Sequence, residues 1–462
     1  MNPTIDDVEL TKFIQAVQNT RPLDISVEED ERRYVKHLQG TRDSLGRLRA
    51  EIGHRIGDGV YLFTGQIGSG KSTELLRLKK ELQSPQCKVY YCDLEDWLNL
   101  NAPIDLASML LAMIASWVDV IGTNAGQRTP VQRLTDFLTR TKISLTGIEL
   151  EGDMSAVKAK LQLALQTDAN FRADLESTLK QNVGSFVNQV HRFVAELVAD
   201  ICRPGDKCVL IADSLEKIRG YGDEAGKVYE SIQRLFLNEG RALCLPSVHV
   251  VYSVSPFLLA QNPQLPSILG QGLVVNMPSV HVFRKRSSEL DADGVKQMTE
   301  LVNLRYAQWQ QFIAPELLDA LIRDCGGDLR DYLRAIKVVL LEREANPDAT
   351  QAELLDIVRG QISPPRLVPS AHIGWMARLE RSHEPEIDDK VDATVFHRYL
   401  ATKHILAYLN GTEWYAFTPC CVIGYWPGPR RNEPQPGARA TAAAAASAVA
   451  PPQWRCQRGL SL

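Results

Sequence analysis

Nine residues from Gly65 to Thr73 have the types and spacing to hold a phosphate. Gly65, Gln66, Ile67, Gly68, Ser69, Gly70, Lys71, Ser72 and Thr73 satisfy G-x-x-x-x-G-K-[ST]. Glycine has no Cβ, so the backbone of such a loop can approach an anion closely. Successive N–H groups then point inward, and the start of the following helix adds partial positive charge. Lys71 is placed to reach the β- and γ-phosphates, and the Ser72 hydroxyl to ligate Mg²⁺.

A loop of this kind works only between a strand and a helix, and both are written in the flanks. Residues 59–64 form a short apolar and aromatic run, which predicts a buried strand. Leu75, Leu78 and Leu82 then recur on one helical face. A chance glycine-rich turn carrying Lys-Ser lacks such flanks.

A second landmark lies at residues 208–217. Val209, Leu210, Ile211 and Ala212 lead into Asp213, which predicts a buried parallel strand delivering a carboxylate at its C-terminal edge, where ligands bind in open α/β sheets. With the phosphate loop, Asp213 is expected to hold Mg²⁺ through water opposite Ser72. Glu216 is the candidate for polarising an attacking water.

The fold class expected is α/β: a parallel five-stranded core with a long helical insertion, then an all-helical lid and a small C-terminal α+β piece. Strands are expected at 59–64, 88–93, 208–213, 249–256 and 272–276. Residues 1–58 read as a helical lead-in, with Leu45, Leu48, Ile52 and Ile56 as an amphipathic helix. The core spans 59–284. Its insertion, about 122–205, holds a hairpin over 143–150 and a long helix over 170–201. That helix is expected either to pack on its own domain or to serve as an interaction arm. Helices at 288–306, 314–325, 328–344 and 351–359 make the lid, 285–362, separated by Pro, Gly and Asn-Pro breaks. Over 363–419, a helix at 392–409 precedes a strand at 413–417. Residues 420–462 have no packable pattern and are expected to be disordered. Their Ala, Arg, Pro and Gly richness is also what GC-rich coding DNA gives when read out of frame.

These motifs together resemble the AAA+/STAND class of P-loop ATPases, and within it the origin-recognition-complex and STAND or KAP-like types, over about residues 40–360. The phosphate loop and the Asp213–Glu216 segment carry most of the resemblance. A weaker likeness joins residues 40–45 to the box that precedes the loop in that class. The resemblance implies that Ser253, or Ser255, at the end of the fourth strand is a sensor serine. It implies likewise that Arg330, in Gly326-Gly327-Asp328-Leu329-Arg330, is a sensor arginine on a lid helix. It also implies ATP with Mg²⁺; no guanine-reading N-K-x-D motif occurs. Many AAA+ members carry adjacent Asp-Glu, whereas Ser214 and Leu215 intervene here. That spacing leans toward STAND and KAP types and implies slow, switch-like turnover. Arg284, Lys285 and Arg286 are arginine-finger candidates by position alone.

Composition narrows the function. With 52 basic and 56 acidic residues the chain lacks a global positive bias for nucleic acid. Nine cysteines without zinc-finger spacing read as free thiols in a reducing, cytoplasmic setting. The N-terminus lacks a signal-peptide pattern, and no apolar run reaches membrane-span length. The expected function is an ATP-driven switch that moves its lid or assembles, as a homo-oligomer or with a separate effector protein, in a bacterial signalling or defence module. The alternative is a DNA-binding ATPase of the origin-recognition or loader type, with Arg398, Lys403 and His404 facing phosphate. A small-molecule kinase is disfavoured by the separate lid, and an ABC-type ATPase by the lack of L-S-G-G-Q.

Overall fold

Alternation within five short apolar runs gives each a sheet face toward two different helical layers. The computed structural model describes residues 7–418, apart from 37, 39–42, 44, 126–128, 142–153, 219, 221–224, 271, 288, 363–367, 387 and 411. The hairpin expected at 143–150, most of the box at 40–45 and the tail from 420 lie outside the described residues.

The lead-in contributes α1 (Asp7–Gln18), α2 (Glu28–Arg32) and α3 (Gly46–His54). The core begins with β1 (Gly59–Gly65), α4 (Lys71–Leu82), β2 (Cys87–Asp93) and α5 (Leu106–Ala125). The insertion supplies α6 (Thr129–Arg140), α7 (Met154–Thr167) and α8 (Ala169–Ile201). Then come β3 (Lys207–Asp213), α9 (Ala225–Leu237), β4 (His249–Val254), α10 (Pro256–Gln261), α11 (Leu265–Ile268) and β5 (Val274–Met277). The lid comprises α12 (Ala292–Asn303), α13 (Pro315–Cys325), α14 (Leu329–Ala345) and α15 (Gln351–Ile362). The C-terminal piece is α16 (Ser370–Ser382), α17 (Ala393–Ala401), β6 (Ile405–Asn410) and β7 (Thr412–Phe417).

The five core strands are parallel, in the order β2-β3-β4-β1-β5. On one face Leu62, Leu210, Val250 and Tyr252 join α5, α8 and α9 in a single core. On the other, Tyr61, Phe63, Val209, Ile211 and Val251 pack against Leu48 and Ile52 of α3 and Leu75 and Leu78 of α4. Such two-sided burial is why these strands read as nearly continuous apolar runs. The insertion packs on its own domain: Leu161, Phe171, Val190 and Leu197 are buried in the same core as the sheet. Backbone at Asn182 (φ −153°, ψ 49°) kinks α8.

A third core joins the lid to both ends of the described chain. Leu10, Phe13 and Val17 of α1 pack with Leu321, Tyr332 and Ile336 of the lid and with Tyr408 and Trp414 of the terminal hairpin. The lead-in is therefore divided, α1 belonging to the lid core and α3 to the sheet. Two expectations are corrected. Ile56 lies beyond the end of α3 and is 94% exposed, because the helix stops at His54. The helix expected over 392–409 ends at Ala401, and Ile405–Asn410 is a strand paired antiparallel with β7. Lys403, at φ 58°, turns the chain between them. Leu406 and Tyr408 face the lid core in alternation, a spacing of two that short apolar runs share with helical patterns. No helix among the described residues is long and apolar enough to cross a membrane.

Candidate nucleotide site

Fully buried β1 ends in the glycine loop, and α4 begins at Lys71 with Gly70 as its N-cap. A Cβ at Gly65 would lie 2.2 Å from the Met277 carbonyl oxygen, so that position is closed to any side chain. Gly68 has φ 93°, and a Cβ there would meet the Asp328 carboxylate at 2.4 Å. The loop thus carries glycine where β5 and the lid press against it. The Lys71 ammonium donates to the carbonyls of Gly65 (2.9 Å) and Gln66 (2.8 Å), folding back over the loop.

The acidic side is equally ordered. Asp213 is buried at the end of β3, its Oδ1 accepting from Ser214 N at 2.8 Å and its Oδ2 from the Tyr91 hydroxyl at 2.5 Å. The Ser72 hydroxyl lies beside the same pair and favours the charged form of each. Burial, then repulsion from Glu216, raise the Asp213 pKa, opposed by the bonds from Tyr91 and Ser214 and by the nearby Ser72 hydroxyl. Ser214 takes a left-handed conformation, φ 77°, and turns Leu215–Lys217 into a single 3-10 turn. That turn brings Glu216 back beneath the loop despite its separation from Asp213. Glu216 Oε1 lies 3.4 Å from Lys71 Nζ, and Oε2 accepts from Ser253 Oγ at 2.6 Å. Burial pushes the Glu216 pKa up, but the Lys71 charge and the Ser253 bond outweigh it, leaving the carboxyl below its usual value.

The structure therefore brings together Lys71, Ser72, Asp213, Glu216 and Ser253 at the C-terminal edge of the sheet, where β3, β4 and β1 are neighbours. Arg330, one residue into α14, lines the same cleft from the lid side, as do Ile67, Gly68, Gly70 and Thr73 of the loop. Ser255 lines a smaller recess beside Gly65 and Glu216. The Gln66 side chain turns away from the cleft to the C-terminal hairpin, donating to Ile405 O at 2.9 Å and accepting from Ala407 N at 3.2 Å. Arg284 and Arg286 pair with Glu289 and Glu384 at the surface, and neither they nor Lys285 line the cleft. Lys403 is held by Asp328 (2.6 Å) and Asp331 (3.0 Å), and His404 is buried, so neither is presented to an outside phosphate.

Several lining residues have no sequence signal. Leu23, Tyr34, Val35 and Leu38 come from the segment around α2, and Leu301, Arg305 and Leu333 from the lid. The segment is fixed to α4: Leu23 N donates to Thr73 Oγ1 at 3.1 Å, and the Tyr34 hydroxyl to Glu74 at 2.6 Å. Buried Asp30 braces the segment from within by accepting two bonds from Arg21 (2.6 and 2.8 Å) and one from Asp24 N. Arg305 is largely enclosed, and burial, with Arg33 nearby, pushes its pKa down to about 10.

The donor set fits a nucleoside triphosphate with a divalent cation. A closed glycine cradle, a lysine within it and a serine beside a buried aspartate supply what the phosphates and metal require. Strand, loop and helix, followed by an acid-tipped β3 and a helical bundle, decide the architecture. The fold is a parallel five-stranded α/β core of the P-loop kind followed by a helical bundle.

No family model matches the chain, and no curated protein matches it. Among solved structures, this P-loop chain is similar to the Aeropyrum pernix ORC2 protein in its ADPNP–ADP complexes. The identity is 12%, over 88% of this chain and 93% of that one, with a TM-score of 0.40. The ADP form of the same protein gives 11% identity, coverage of 84% and 93%, and a TM-score of 0.35. The Aeropyrum pernix ORC1 protein in complex with DNA gives 13%, coverage of 88% and 93%, and 0.36. Likenesses this distant carry no conclusion about what this chain binds or does.

Proposed function

We propose that the chain is a nucleotide-driven switch that binds ATP with Mg²⁺ between its phosphate loop and its lid and hydrolyses it slowly. The observation that carries this reading is the Lys71–Glu216–Ser253 constellation lying under the first turn of α14, which bears Arg330.

Ser72 would hold the metal with Asp213 behind it, and the ion would supply neutralisation of phosphate charge. Lys71 exchanges its carbonyl partners and Glu216 for phosphate oxygens. That exchange frees Glu216 Oε1 to take a water proton while Ser253 keeps the carboxylate oriented. Arg330 would respond to the γ-phosphate and carry its presence into the lid, the ordering step by which such switches act. The output passes to a separate effector protein or to further copies of this chain, in a STAND-like manner. Inward placement of Lys403 and His404 weighs toward this reading over the DNA-handling alternative.

Phosphate release from the purified chain, with nucleotide binding followed in parallel, tests the reading. Wild type should turn over; Lys71→Ala should neither bind nor hydrolyse; Glu216→Gln should bind but not hydrolyse. A wild-type protein that binds no nucleotide in the presence of Mg²⁺ would sink it.

A further inference from the structure

We infer that Tyr91 is a positioning residue for the metal side of the cleft: its hydroxyl holds the Asp213 carboxylate in the orientation that receives Mg²⁺. The inference rests on the nucleotide-binding reading above and assigns a role within it to a residue of the second strand.

Tyr91 stands opposite Ile211 and Asp93 opposite Asp213 in the parallel β2–β3 pairing. Side chains two apart share a sheet face, so Tyr91 lies on the face of Asp93, one step short of the strand ends. Its ring packs against the core formed by Leu75, Leu78, Val209 and Ile211 under α4. From that wedge the hydroxyl reaches Asp213 Oδ2 at 2.5 Å. Ser214 N occupies one direction of Oδ1 at 2.8 Å. Each carboxylate oxygen therefore has one fixed donor and keeps lone-pair capacity for metal-bound water. A hydroxyl bonded to an ionised carboxylate is among the stronger neutral-donor bonds, and a rigid ring delivers it without a flexible stem. Ser72, the proposed metal ligand, lies beside the same pair. The phenol thus fixes the carboxylate that stands behind that ligand. Partners of this kind orient metal sites, and their removal commonly lowers metal affinity about 10–100-fold.

Tyr91→Phe keeps the ring and deletes the donor. A fluorescent ATP analogue, titrated onto the full chain at varied Mg²⁺ and separately in EDTA, reads metal dependence apart from turnover. The half-saturating Mg²⁺ concentration should rise about tenfold in Tyr91→Phe, with affinity in EDTA unchanged. Asp213→Asn should lose the Mg²⁺ dependence, and adding Tyr91→Phe to it should change nothing further. An unchanged Mg²⁺ midpoint in Tyr91→Phe overturns the inference. So does an equal loss of affinity with and without metal, which would make the tyrosine structural. If wild type itself binds no nucleotide, the proposed function fails and takes this inference with it. If wild type binds with a clear Mg²⁺ requirement that Tyr91→Phe shares, only the inference fails.

Discussion

His249 opens β4 at the end of the sheet away from the phosphate loop, 1% exposed, with Nδ1 3.1 Å from the Tyr61 hydroxyl. Burial, then the charges of Lys207 and Arg55, lower its pKa from 6.5 to about 4. The folded chain therefore resists a proton that the unfolded chain accepts between those values. The stabilisation is fully present above pH 6.5 and is lost as pH falls through about 4. Its size is on the order of 3 kcal/mol. Urea unfolding of wild type and His249→Gln at pH 7 and pH 4.5 isolates this contribution, since other acid-labile groups are common to both. Wild type should lose more stability than the variant by roughly 2 kcal/mol. Equal losses would show that His249 does not carry the pH dependence. The phosphate-site residues could be read from the sequence because each is tied to a local pattern. Lys71 and Ser72 close a motif, and Asp213 ends an apolar run. Tyr91 and Arg305 belong to no such pattern. Their importance comes from partners that only folding brings near, 122 positions away for Tyr91 and Asp213.

At the scale of elements, Lys403 fastens the start of α14 to the C-terminal piece through ion pairs with Asp328 and Asp331. Asp328 caps α14 by accepting from Asp331 N at 2.9 Å, lies against Gly68, and is 4% exposed. Burial raises its pKa, and the Lys403 charge opposes that rise. Lys403→Met would leave a buried carboxylate without its cation, at a cost of about 3–5 kcal/mol. Adding Asp328→Asn should recover part of the loss, because the uncompensated charge is then gone. Urea midpoints for the two single variants and the double variant check this; strictly additive losses would deny the coupling. The pair also shows where sequence reading stopped. All five strands and the four lid helices were legible, since their apolar spacing is local and their ends are marked by Gly, Pro and Asp. Residues 405–409 were not. Ile405, Leu406, Tyr408 and Leu409 suit a helix as well as a strand, and pairing with Thr412–Phe417 decides between them.

Among the described residues, three parts of the fold meet at a single side chain of the phosphate loop. Gln66, 6% exposed, donates to Ile405 O, and its carbonyl accepts from Ala407 N and from Ser279 Oγ at 2.9 Å. Tyr408 extends the same hairpin to the lid, donating to Gly326 O at 2.6 Å. Through these bonds the sheet, the lid and the C-terminal hairpin meet at the loop that is the candidate phosphate cradle. Gln66→Ala would leave a buried carbonyl, an N–H and a hydroxyl without their partner, each such group costing about 1–3 kcal/mol unless water reaches it. The loss should be local, because β6 pairs only with β7, whereas β3 is buried between β2 and β4. Amide hydrogen exchange separates the two cases. In Gln66→Ala, amides of residues 405–410 should exchange at least tenfold faster than in wild type, while those of 208–212 keep their protection. Unchanged exchange over 405–410 would mean that the lid contacts alone hold the hairpin. Faster exchange in both segments would mean that Gln66 supports the entire core, making the terminal hairpin part of the sheet's global stability.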